Sequence, residues 1–516
     1  MKVGNNNMEG RQRKFGAVLS YVSIIVSTLV QLLYTPLLIR MLGQSEYGLY
    51  SLISSIIGYL TILDLGFGNA IIVYTAKYRA QGKAAEEKKL HGMFFIVFCI
   101  IGLIAGLLGL ILYFNVNNIF GNTLTNAEIE KAKIMMLILS FNLAITFPFT
   151  IYSSIISAYE RFTFQKIMSI LNTILKPLLM IPLLFLGYKS IAMTIVITII
   201  NLMVLLSNYL YCKNKLNIQI RYYGFDKNIF KVIFSYSFFI FLGVIVDKVN
   251  WSVDQFVLGA VSGTVAVSLY SIASQINTLY MNISSCCCQV MLPKLSKMVS
   301  KNASNEALNR EFIKFGRLQW YLMSLVLTGF IILGERFMII YAGPSFKTSY
   351  YITLLLIIPI AFVLVENIGV YITQAKNLHK AKAIIAILSS VFNILLSIPL
   401  AQKYGGIGSA LGTSISLVIC NLIINNIYYY KKVKLNIINF WKNIVIISIP
   451  LVPVFIIGLI VNMKFVKVSS MIDIGIFAVV YSIVFFIVAY AISFNKYEKN
   501  IVLSITRKLK KMVMKK

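Results

Sequence analysis

The sequence predicts an all-α integral membrane protein with 14 transmembrane helices, because long apolar stretches, alternating loop charge and an internal duplication all indicate it. A helix needs about 20 residues to cross a bilayer core of about 30 Å, and each stretch is close to that length or longer. The stretches are continuous rather than alternating, and only helices and closed barrels satisfy their backbone polar groups in lipid. The predicted spans are 16–41, 47–75, 90–113, 132–158, 164–186, 190–211, 229–256, 264–292, 315–334, 348–374, 380–400, 407–430, 443–461 and 471–494.

Loop charge predicts the orientation. With the N-terminus in the cytoplasm, two lysines lie within spans and most other basic residues fall on the cytoplasmic side, as the positive-inside rule requires. The outer loops then hold only Arg40, Lys131, Lys133, Lys189, Arg336, Lys347, Lys403, Lys464 and Lys467. We therefore expect both termini in the cytoplasm. The net charge of +31 indicates loops that face anionic lipid rather than a nucleic-acid surface. The first apolar run is too long for a cleaved signal peptide, so we expect it to be retained.

An internal duplication predicts two bundles. Displaced by 217 residues, Ala158–Leu183 lies over Ala375–Leu400 with nine of 26 residues identical, and a weaker match places Leu42-Gly43 over Leu258-Gly259 and Tyr50-Ser51 over Tyr270-Ser271. Because each half has an even number of spans, the two halves form a parallel repeat, and we expect a cavity between them. The predicted divisions are an N-terminal six-helix bundle (1–213), a cytoplasmic connector (214–228), a C-terminal six-helix bundle (229–431), an extra helix pair (432–494) and a basic, amphipathic cytoplasmic tail (495–516).

Three cations are candidates for binding an anionic substrate in that cavity. Lys176 lies near the middle of the fifth span, and its repeat partner, Asn393, is also polar. Lys248 lies in the seventh span. Arg40 lies near the outer end of the first span, where its side chain could instead reach the interface. A charge at the bilayer centre costs about 2.5–3.5 kcal/mol on insertion scales, so such residues usually face protein or water and have a function.

Acidic residues in the spans are candidates for ion coupling or ion pairing. Asp247 is adjacent to Lys248 and could be neutralised through a neighbouring helix; its repeat partner, Gln31, is polar. Asp64 could instead cap or bend a helix around the glycines that follow it, and Glu366 could be the structural partner of a lysine. The full acidic set is Asp247, Asp64, Glu366 and Asp254, and the asparagines expected to join helices are Asn142, Asn172, Asn201 and Asn282.

Four motifs carry a resemblance to known exporters. The segment Arg40-Met-Leu-Gly-Gln-Ser-Glu-Tyr-Gly-Leu-Tyr resembles the first-loop signature of polysaccharide exporters in the multidrug/oligosaccharidyl-lipid/polysaccharide (MOP) superfamily. Asp64-Leu-Gly-Phe-Gly-Asn-Ala, Asp254-Gln-Phe-Val-Leu-Gly with Tyr270-Ser-Ile-Ala, and Tyr341-Ala-Gly-Pro-Ser-Phe are similar to later motifs of the same proteins. The closest branch is the Wzx-like O-antigen and capsule flippases. The resemblance implies a MOP/MATE-like fold in a bacterial cell membrane. It also implies that the chain moves an undecaprenyl-pyrophosphate-linked oligosaccharide from the inner to the outer leaflet.

The chemistry of the chain agrees with that function and suggests how transport is driven. An anionic headgroup needs cations along its path, because an unpaired buried charge is expensive. The membrane potential is worth about 2.3 kcal/mol per charge per 100 mV and pushes an anion outward. Coupling to H⁺ or Na⁺ through the acids is the alternative source of energy. No ATP-binding motif is present, so we expect no ATPase and no other cofactor.

Other functions fit the sequence less well. A multidrug cation antiporter of the same superfamily should have carboxylates rather than lysine in its site, and a peptidoglycan-precursor flippase should have an arginine-rich first helix. A polysaccharide polymerase or ligase, which would be an enzyme, needs large outer loops with catalytic residues. A major-facilitator transporter needs a loop motif that Lys77-Tyr-Arg-Ala-Gln-Gly-Lys does not match. The expected partners are the lipid-linked substrate, the bilayer, and a polymerase and chain-length regulator, without nucleic acid.

Overall fold

The computed structural model describes residues 2–289, 291–376, 378–464 and 469–513, and its regular structure in those ranges consists of helices. The α-helices are α1 (Lys2–Leu60), α2 (Phe67–Ala80), α3 (Ala84–Phe120), α4 (Asn126–Ala158), α5 (Phe162–Phe185), α6 (Ser190–Asn214), α7 (Lys227–Gln289), α8 (Leu292–Ser300), α9 (Asn305–Ala342), α10 (Lys347–Val365), α11 (Asn367–Ala375), α12 (His379–Ser416), α13 (Asn425–Tyr428), α14 (Ile437–Ser448), α15 (Leu451–Lys464), α16 (Met471–Val488) and α17 (Lys496–Val513). Short 3₁₀-helices occupy Thr61–Asp64 and Pro344–Phe346, and π-helices occupy Leu417–Ile424, Tyr429–Val433 and Ala489–Ser493.

The chain is a multi-pass membrane protein. Within the described ranges, 11 helical stretches are long and apolar enough to cross a membrane, or up to 12 if α14 and α15, which meet at 45°, form one span. Two stretches, Val18–Ala80 with 63 residues and Ala381–Val433 with 53, are much longer than a bilayer requires. Each contains a glycine with non-helical backbone angles, Gly43 or Gly405. These glycines lie where the sequence predicts loops between consecutive spans.

Large apolar side chains on the helix surfaces agree with a lipid environment. Leu33 is 75% exposed, Phe114 73% and Met463 77%, and each lies on a long helix. Soluble proteins rarely expose contiguous apolar patches of this kind. The helices also satisfy their own backbone hydrogen bonds, which is the condition for spanning lipid.

Gly43 and Gly263 interrupt α1 and α7 with nearly the same backbone conformation. Their φ/ψ angles are 80°/171° and 79°/−177°, values that a residue with a Cβ rarely adopts. Gly43 and Gly263 are separated by the same number of residues as Tyr50 and Tyr270, which the sequence comparison paired. The predicted repeat pairings, Gly43 with Gly259 and Asp247 with Gln31, stay predictions.

The chain divides into an N-terminal unit, Met1–Ser271, and a C-terminal unit, Ile272–Lys516. In the N-terminal unit α4 packs against α3 and α6, and α1 packs against α5. In the C-terminal unit α9 contacts α10, α14 and α16, while α12 packs on α10. The division falls within α7, whereas the predicted bundles divide the sequence at the connector; the predicted bundle boundaries stay a prediction.

Candidate functional site

A polar stripe runs along α5. Gln165, Ser169, Asn172 and Lys176 are spaced so that they lie on one face of the helix. Gln165 Nε2 donates to the Ser153 carbonyl on α4 at 2.9 Å, which fixes the start of the stripe. The Ser169 hydroxyl lies 3.4 Å from the Ser23 hydroxyl on α1. The stripe therefore faces neighbouring helices of the N-terminal unit.

The far end of this stripe has unused polar groups. Asn172 Oδ1 is buried and accepts no hydrogen bond from the described residues. Lys176, one turn further along the same face, is half-buried and forms neither a hydrogen bond nor an ion pair within the described structure. The expected functional cation thus has no structural partner there. Sequence analysis identified the lysine but not the stripe. The stripe could have been found from the polar residues that recur every three or four positions along an otherwise apolar helix.

Lys248 is a second half-buried cation of the N-terminal unit. Its ammonium nitrogen lies 3.8 Å from the position that a Cβ on Gly58 would occupy, so α7 places it over the second half of α1. No carboxylate among the described side chains lies within ion-pair distance of it. The side chain of Asp247 lies outside the described part of the structure, so its predicted role stays a prediction.

The second predicted span is broken at Asp64, which confirms the alternative that this motif bends a helix. Asp64 ends a 3₁₀ turn, and Leu65 and Gly66 follow in the left-handed region with φ of 52° and 74° before α2 begins. Asp64 Oδ1 is buried and has no hydrogen-bond partner among the described groups. A Cβ on Gly66 would lie 3.0 Å from Ile240 Cβ, so the break fits closely against α7.

The other predicted residues of the N-terminal unit have separate environments. Asp254 is 1% exposed, and its Oδ2 accepts a 2.6 Å hydrogen bond from the Tyr270 hydroxyl, which gives it a structural role. Arg40 is exposed on α1 shortly before the break at Gly43, as expected for an interfacial arginine. Gln31 is half-buried on α1. Within the described ranges, none of the three forms a hydrogen bond or an ion pair with Lys176.

Two predicted residues lie in the C-terminal unit. Asn393 is 2% exposed, and its Oδ1 accepts hydrogen bonds from Ser397 at 2.7 Å and Thr413 at 3.1 Å. Glu366 is 1% exposed at the junction of α10 and α11. The expected ion pair between Glu366 and a lysine is not formed, since no lysine nitrogen of the described chain lies within 4.0 Å of it.

Asparagine joins two helices as predicted. Asn201 Nδ2 donates to Asn142 Oδ1 at 2.7 Å and to the Thr146 hydroxyl at 2.8 Å, linking α6 to α4. Asn282 is exposed. Among the described residues, no group of three or more His, Cys, Asp or Glu side chains is arranged to hold a metal ion.

The first-loop segment at residues 40–50 is held by polar contacts that sequence analysis did not identify. The Ser45 hydroxyl donates to Glu128 at 2.6 Å. Glu46 is 8% exposed and forms an ion pair with Lys131. A Cβ on Gly48 would lie 1.9 Å from the Thr264 carbonyl oxygen, so only glycine fits. The motif therefore fixes the turn between the first two predicted spans.

An apolar groove of about 710 Å³ lies between α15 and α16. Ile457, Val461, Val480 and Val484 are among the side chains that line it. Asp473 at the start of α16 is the charged residue of its lining. A groove of this composition suits an apolar chain rather than a sugar.

Comparison with protein families gives one match over more than half of the chain. Residues 15–299 match the family described as "Polysaccharide biosynthesis protein". A protein of Shigella flexneri described as "Putative O-antigen transporter" is 24% identical over 417 residues, which cover 78% of this chain and 94% of that protein.

Solved structures share the fold at low sequence identity. The inward closed conformation of the lipid II flippase MurJ matches with a TM-score of 0.71 and 19% identity over 92% of this chain and 98% of that one. An inward-facing multidrug resistance transporter of the MATE family in the MOP superfamily matches with a TM-score of 0.60 and 14% identity over 77% of this chain and 96% of that one. These named proteins are transporters and flippases rather than enzymes, and the predicted MOP/MATE-like fold is confirmed.

Proposed function

The chain belongs to the polysaccharide biosynthesis protein family, and on this basis we propose that it is a flippase for a lipid-linked oligosaccharide. The substrate is an oligosaccharide repeat unit attached through pyrophosphate to undecaprenol. The protein moves it from the inner to the outer leaflet for the synthesis of a surface polysaccharide such as O-antigen or capsule. The similarity to a protein described as an O-antigen transporter supports this proposal.

The observation that carries the proposal is the unpaired cation at Lys176. A half-buried ammonium without a counter-ion is unfavourable in a membrane, so the site is suited to receive an anion from outside the protein. Asn172, on the same face of α5, offers an amide to a phosphate or sugar oxygen and has its own Oδ1 unsatisfied. Lys248 supplies a second cation in the same unit. A pyrophosphate headgroup matches this chemistry, whereas a cationic drug does not.

The apolar groove between α15 and α16 is proposed to hold part of the polyisoprenyl tail. Its lining offers hydrocarbon contact, and its volume of about 710 Å³ is large enough for several isoprene units. A Cβ on Gly458 would lie 2.8 Å from Ile332 Cδ1, so this glycine lets α15 approach α9 closely beside the groove. The extra helix pair outside the predicted duplication would then bind the lipid portion of the substrate.

The proposed arrangement has 14 spans in a bacterial cell membrane with both termini in the cytoplasm. The breaks at Gly43 and Gly405 divide two long helical stretches into two spans each, and α14 with α15 supplies one further span. The matching conformations of Gly43 and Gly263 support a parallel repeat and transport by alternating access. A polymerase and a chain-length regulator are the proposed downstream partners. The membrane potential, the coupled entry of H⁺ or Na⁺, or both would supply energy.

Complementation tests the function. The chain is expressed in a strain that lacks its own O-antigen or capsule flippase but makes a matching repeat unit, and lipid-linked units are assayed in each leaflet. Wild type should restore outer-leaflet units, Lys176→Met should retain them on the inner leaflet, and Lys176→Arg should function. Lys189→Ala, at an exposed lysine after α5, is the matched control. If the strain instead becomes resistant to cationic dyes and surface polysaccharide is not restored, the protein would be a cation antiporter and not a flippase.

A second pair of variants tests the groove. Val480→Trp should fill it and slow transport several-fold, because Val480 lines the groove. Ile483→Trp adds the same side chain to an exposed position on the same helix outside the lining and should have little effect. Equal activity of the two variants would contradict the role of the groove.

A further inference from the structure

Two neighbouring cavities of the C-terminal unit form one basic surface. They lie beside the first turns of α9 and α14, on the side that the loop charges predict to be cytoplasmic. The first has a volume of about 770 Å³ and the second of about 730 Å³, and Asn439 lines both. We call the joined surface the basic groove. Its cationic lining residues are Lys431, Lys434 and Lys442 in the first cavity and Arg310, Lys314 and Arg317 in the second.

The protein neutralises only part of the positive charge of the basic groove. Glu311 is the acidic residue among its described lining residues, and it pairs with Lys294 and Lys314. Arg317 pairs with Glu498. The other cations of the lining are exposed and form no ion pair with any residue that the structure describes: Arg310, Lys431, Lys434 and Lys442. The basic groove is therefore complementary to an anionic partner.

The tail helix shows how an acidic segment fits against this surface. Glu498 of α17 is 1% exposed, and both of its carboxylate oxygens accept hydrogen bonds from Arg317. The residue before it, Tyr497, places its ring centre 3.4 Å from the Lys314 ammonium in a cation–π contact. An acidic residue beside an aromatic one thus occupies the second cavity. The first cavity, with its three lysines, has no described tail residue in its lining.

The first cavity also offers apolar and amide groups. Ile438 is 72% exposed and Tyr430 is 53% exposed, so both provide apolar contact beside the lysines. The Asn439 amide nitrogen donates no hydrogen bond to a described residue, although its Oδ1 accepts one from Asn443 at 3.1 Å. An amide group donates and accepts hydrogen bonds, as a peptide backbone also does. This mixture of groups suits a polypeptide better than a simple anion.

The length of the basic groove points to an extended partner. The lining of the two cavities runs along α9 from Asn309 to Arg317. At a rise of 1.5 Å per residue this is about 12 Å, a distance that about four residues of extended peptide cover. The cations are distributed along this distance and along the start of α14. They are therefore better placed for several carboxylates in a row than for one phosphate.

We propose that the basic groove is the docking site for an acidic, extended segment of a cytoplasmic partner protein, with apolar residues among its acids. The carboxylates pair with Lys431, Lys434 and Lys442, and an apolar side chain of the segment contacts Ile438. Complementary charge of this kind speeds association and selects against wrong partners. Docking does not rest on the proposed transport function, so either proposal can fail while the other stands.

Fluorescence anisotropy tests the docking with the full-length protein in phosphatidylcholine nanodiscs. The labelled peptide consists of Glu-Glu-Leu repeats and is about 12 residues long, enough to span the basic groove when extended. At about 150 mM salt, where interactions between distant charges are screened, the peptide should bind saturably. The same peptide with Gln in place of Glu should bind at least about tenfold more weakly, a difference of about 1.4 kcal/mol. No saturable binding by wild type would overturn the proposal.

Two triple variants separate the basic groove from net charge. Replacing Lys431, Lys434 and Lys442 together by Gln should weaken peptide binding by about tenfold or more. Both triple variants should keep the wild-type melting temperature, because substitutions of exposed residues usually change stability little. The control, which should bind as wild type does, removes the same charge from exposed lysines of the N-terminal unit: Lys83, Lys88 and Lys213. Equal losses in the two variants would overturn the proposal.

Two further measurements separate a polypeptide partner from a lipid. Ile438→Ala should weaken peptide binding several-fold, whereas Val445→Ala, at a 57% exposed position of the same helix, should leave it unchanged. Soluble dioctanoyl phosphatidylglycerol should not displace the peptide at concentrations near the peptide's own Kd. Displacement at lower concentrations, lost in the Lys431, Lys434 and Lys442 variant, would make the basic groove a phospholipid site and overturn the proposal.

Discussion

The Thr264 hydroxyl donates a 2.7 Å hydrogen bond to Glu128, which lies 136 residues earlier in the chain. Ser45 donates to the same carboxylate at 2.6 Å, and Glu128 also completes a capping box with Thr125 at the start of α4. One side chain thus links the turn at Gly43, the turn at Gly263 and the first turn of α4. All of these residues belong to the N-terminal unit.

Glu128→Ala should destabilise the protein by about 1–2 kcal/mol, because three hydroxyl groups lose an ionised acceptor. The change is measured as a lower melting temperature in detergent. Glu130→Ala removes an exposed carboxylate from the same helix and serves as the control. Equal melting temperatures for the two variants would contradict the role given to Glu128.

Gly66→Ala should destabilise the break in the second span by about 1–3 kcal/mol. The φ of Gly66 is 74°, and the added methyl group would lie 3.0 Å from Ile240 Cβ. Adding Ile240→Ala to the Gly66→Ala protein should restore only the part of the lost stability that arises from crowding. Gly243→Ala, where a Cβ meets open space within a helix, should be neutral or stabilising. A Gly66→Ala protein as stable as Gly243→Ala would refute this account of the break.

The sequence predicts the membrane fold well because hydropathy and loop charge depend on the solvent and little on tertiary packing. The bend at Asp64 was foreseeable from the two glycines that follow it. The break at Glu366 was not, since Val365 and Asn367 flank it without glycine or proline. The site is harder to predict than the fold. Lys176 is recognisable as a lone charge, but only the structure shows that it lacks a partner in the described ranges.

The buried pair of Arg317 and Glu498 joins the tail helix α17 to α9. Two hydrogen bonds of 2.7 and 2.9 Å connect the side chains, and Arg317 also donates to the Ser493 carbonyl at 3.0 Å. Arg317→Gln should destabilise the protein by about 3–5 kcal/mol, because it leaves a buried carboxylate unpaired. Faster proteolysis within 495–516 would report the loss of docking.

Two further variants keep this prediction specific. Replacing both Arg317 and Glu498 by Met should recover most of the stability, since no buried charge remains. Arg310→Gln, at an exposed arginine on α9, should leave proteolysis unchanged. A double variant as unstable as Arg317→Gln would show that the unpaired carboxylate is not the cause of the destabilisation.

Asp226, outside the spans at the start of α7, should make stability depend on pH. The backbone N–H of Ile229 and the Lys89 ammonium hold the pKa of Asp226 below its usual range. Its contribution is therefore present above the unfolded-state pKa of about 3.9 and is lost as the pH falls through the lower folded-state pKa. Asp226→Asn should lower the melting temperature at neutral pH, and the difference from wild type should disappear in strong acid. Glu86→Gln is the control. If the difference in melting temperature between wild type and Asp226→Asn grew in acid, the predicted direction of the pH dependence would be wrong.

Transport by the purified protein in liposomes tests the central claim most directly. The measured quantity is the rate at which a pyrophosphate-linked oligosaccharide on a polyisoprenyl carrier crosses the bilayer, for wild type, Lys176→Met and Lys176→Arg. We expect wild type and Lys176→Arg to flip the substrate and Lys176→Met to be slower by about tenfold or more, as for a loss of about 1.4 kcal/mol of interaction. Flipping by Lys176→Met at the wild-type rate would contradict the role of the unpaired lysine, and no flipping by wild type would contradict the proposed function itself.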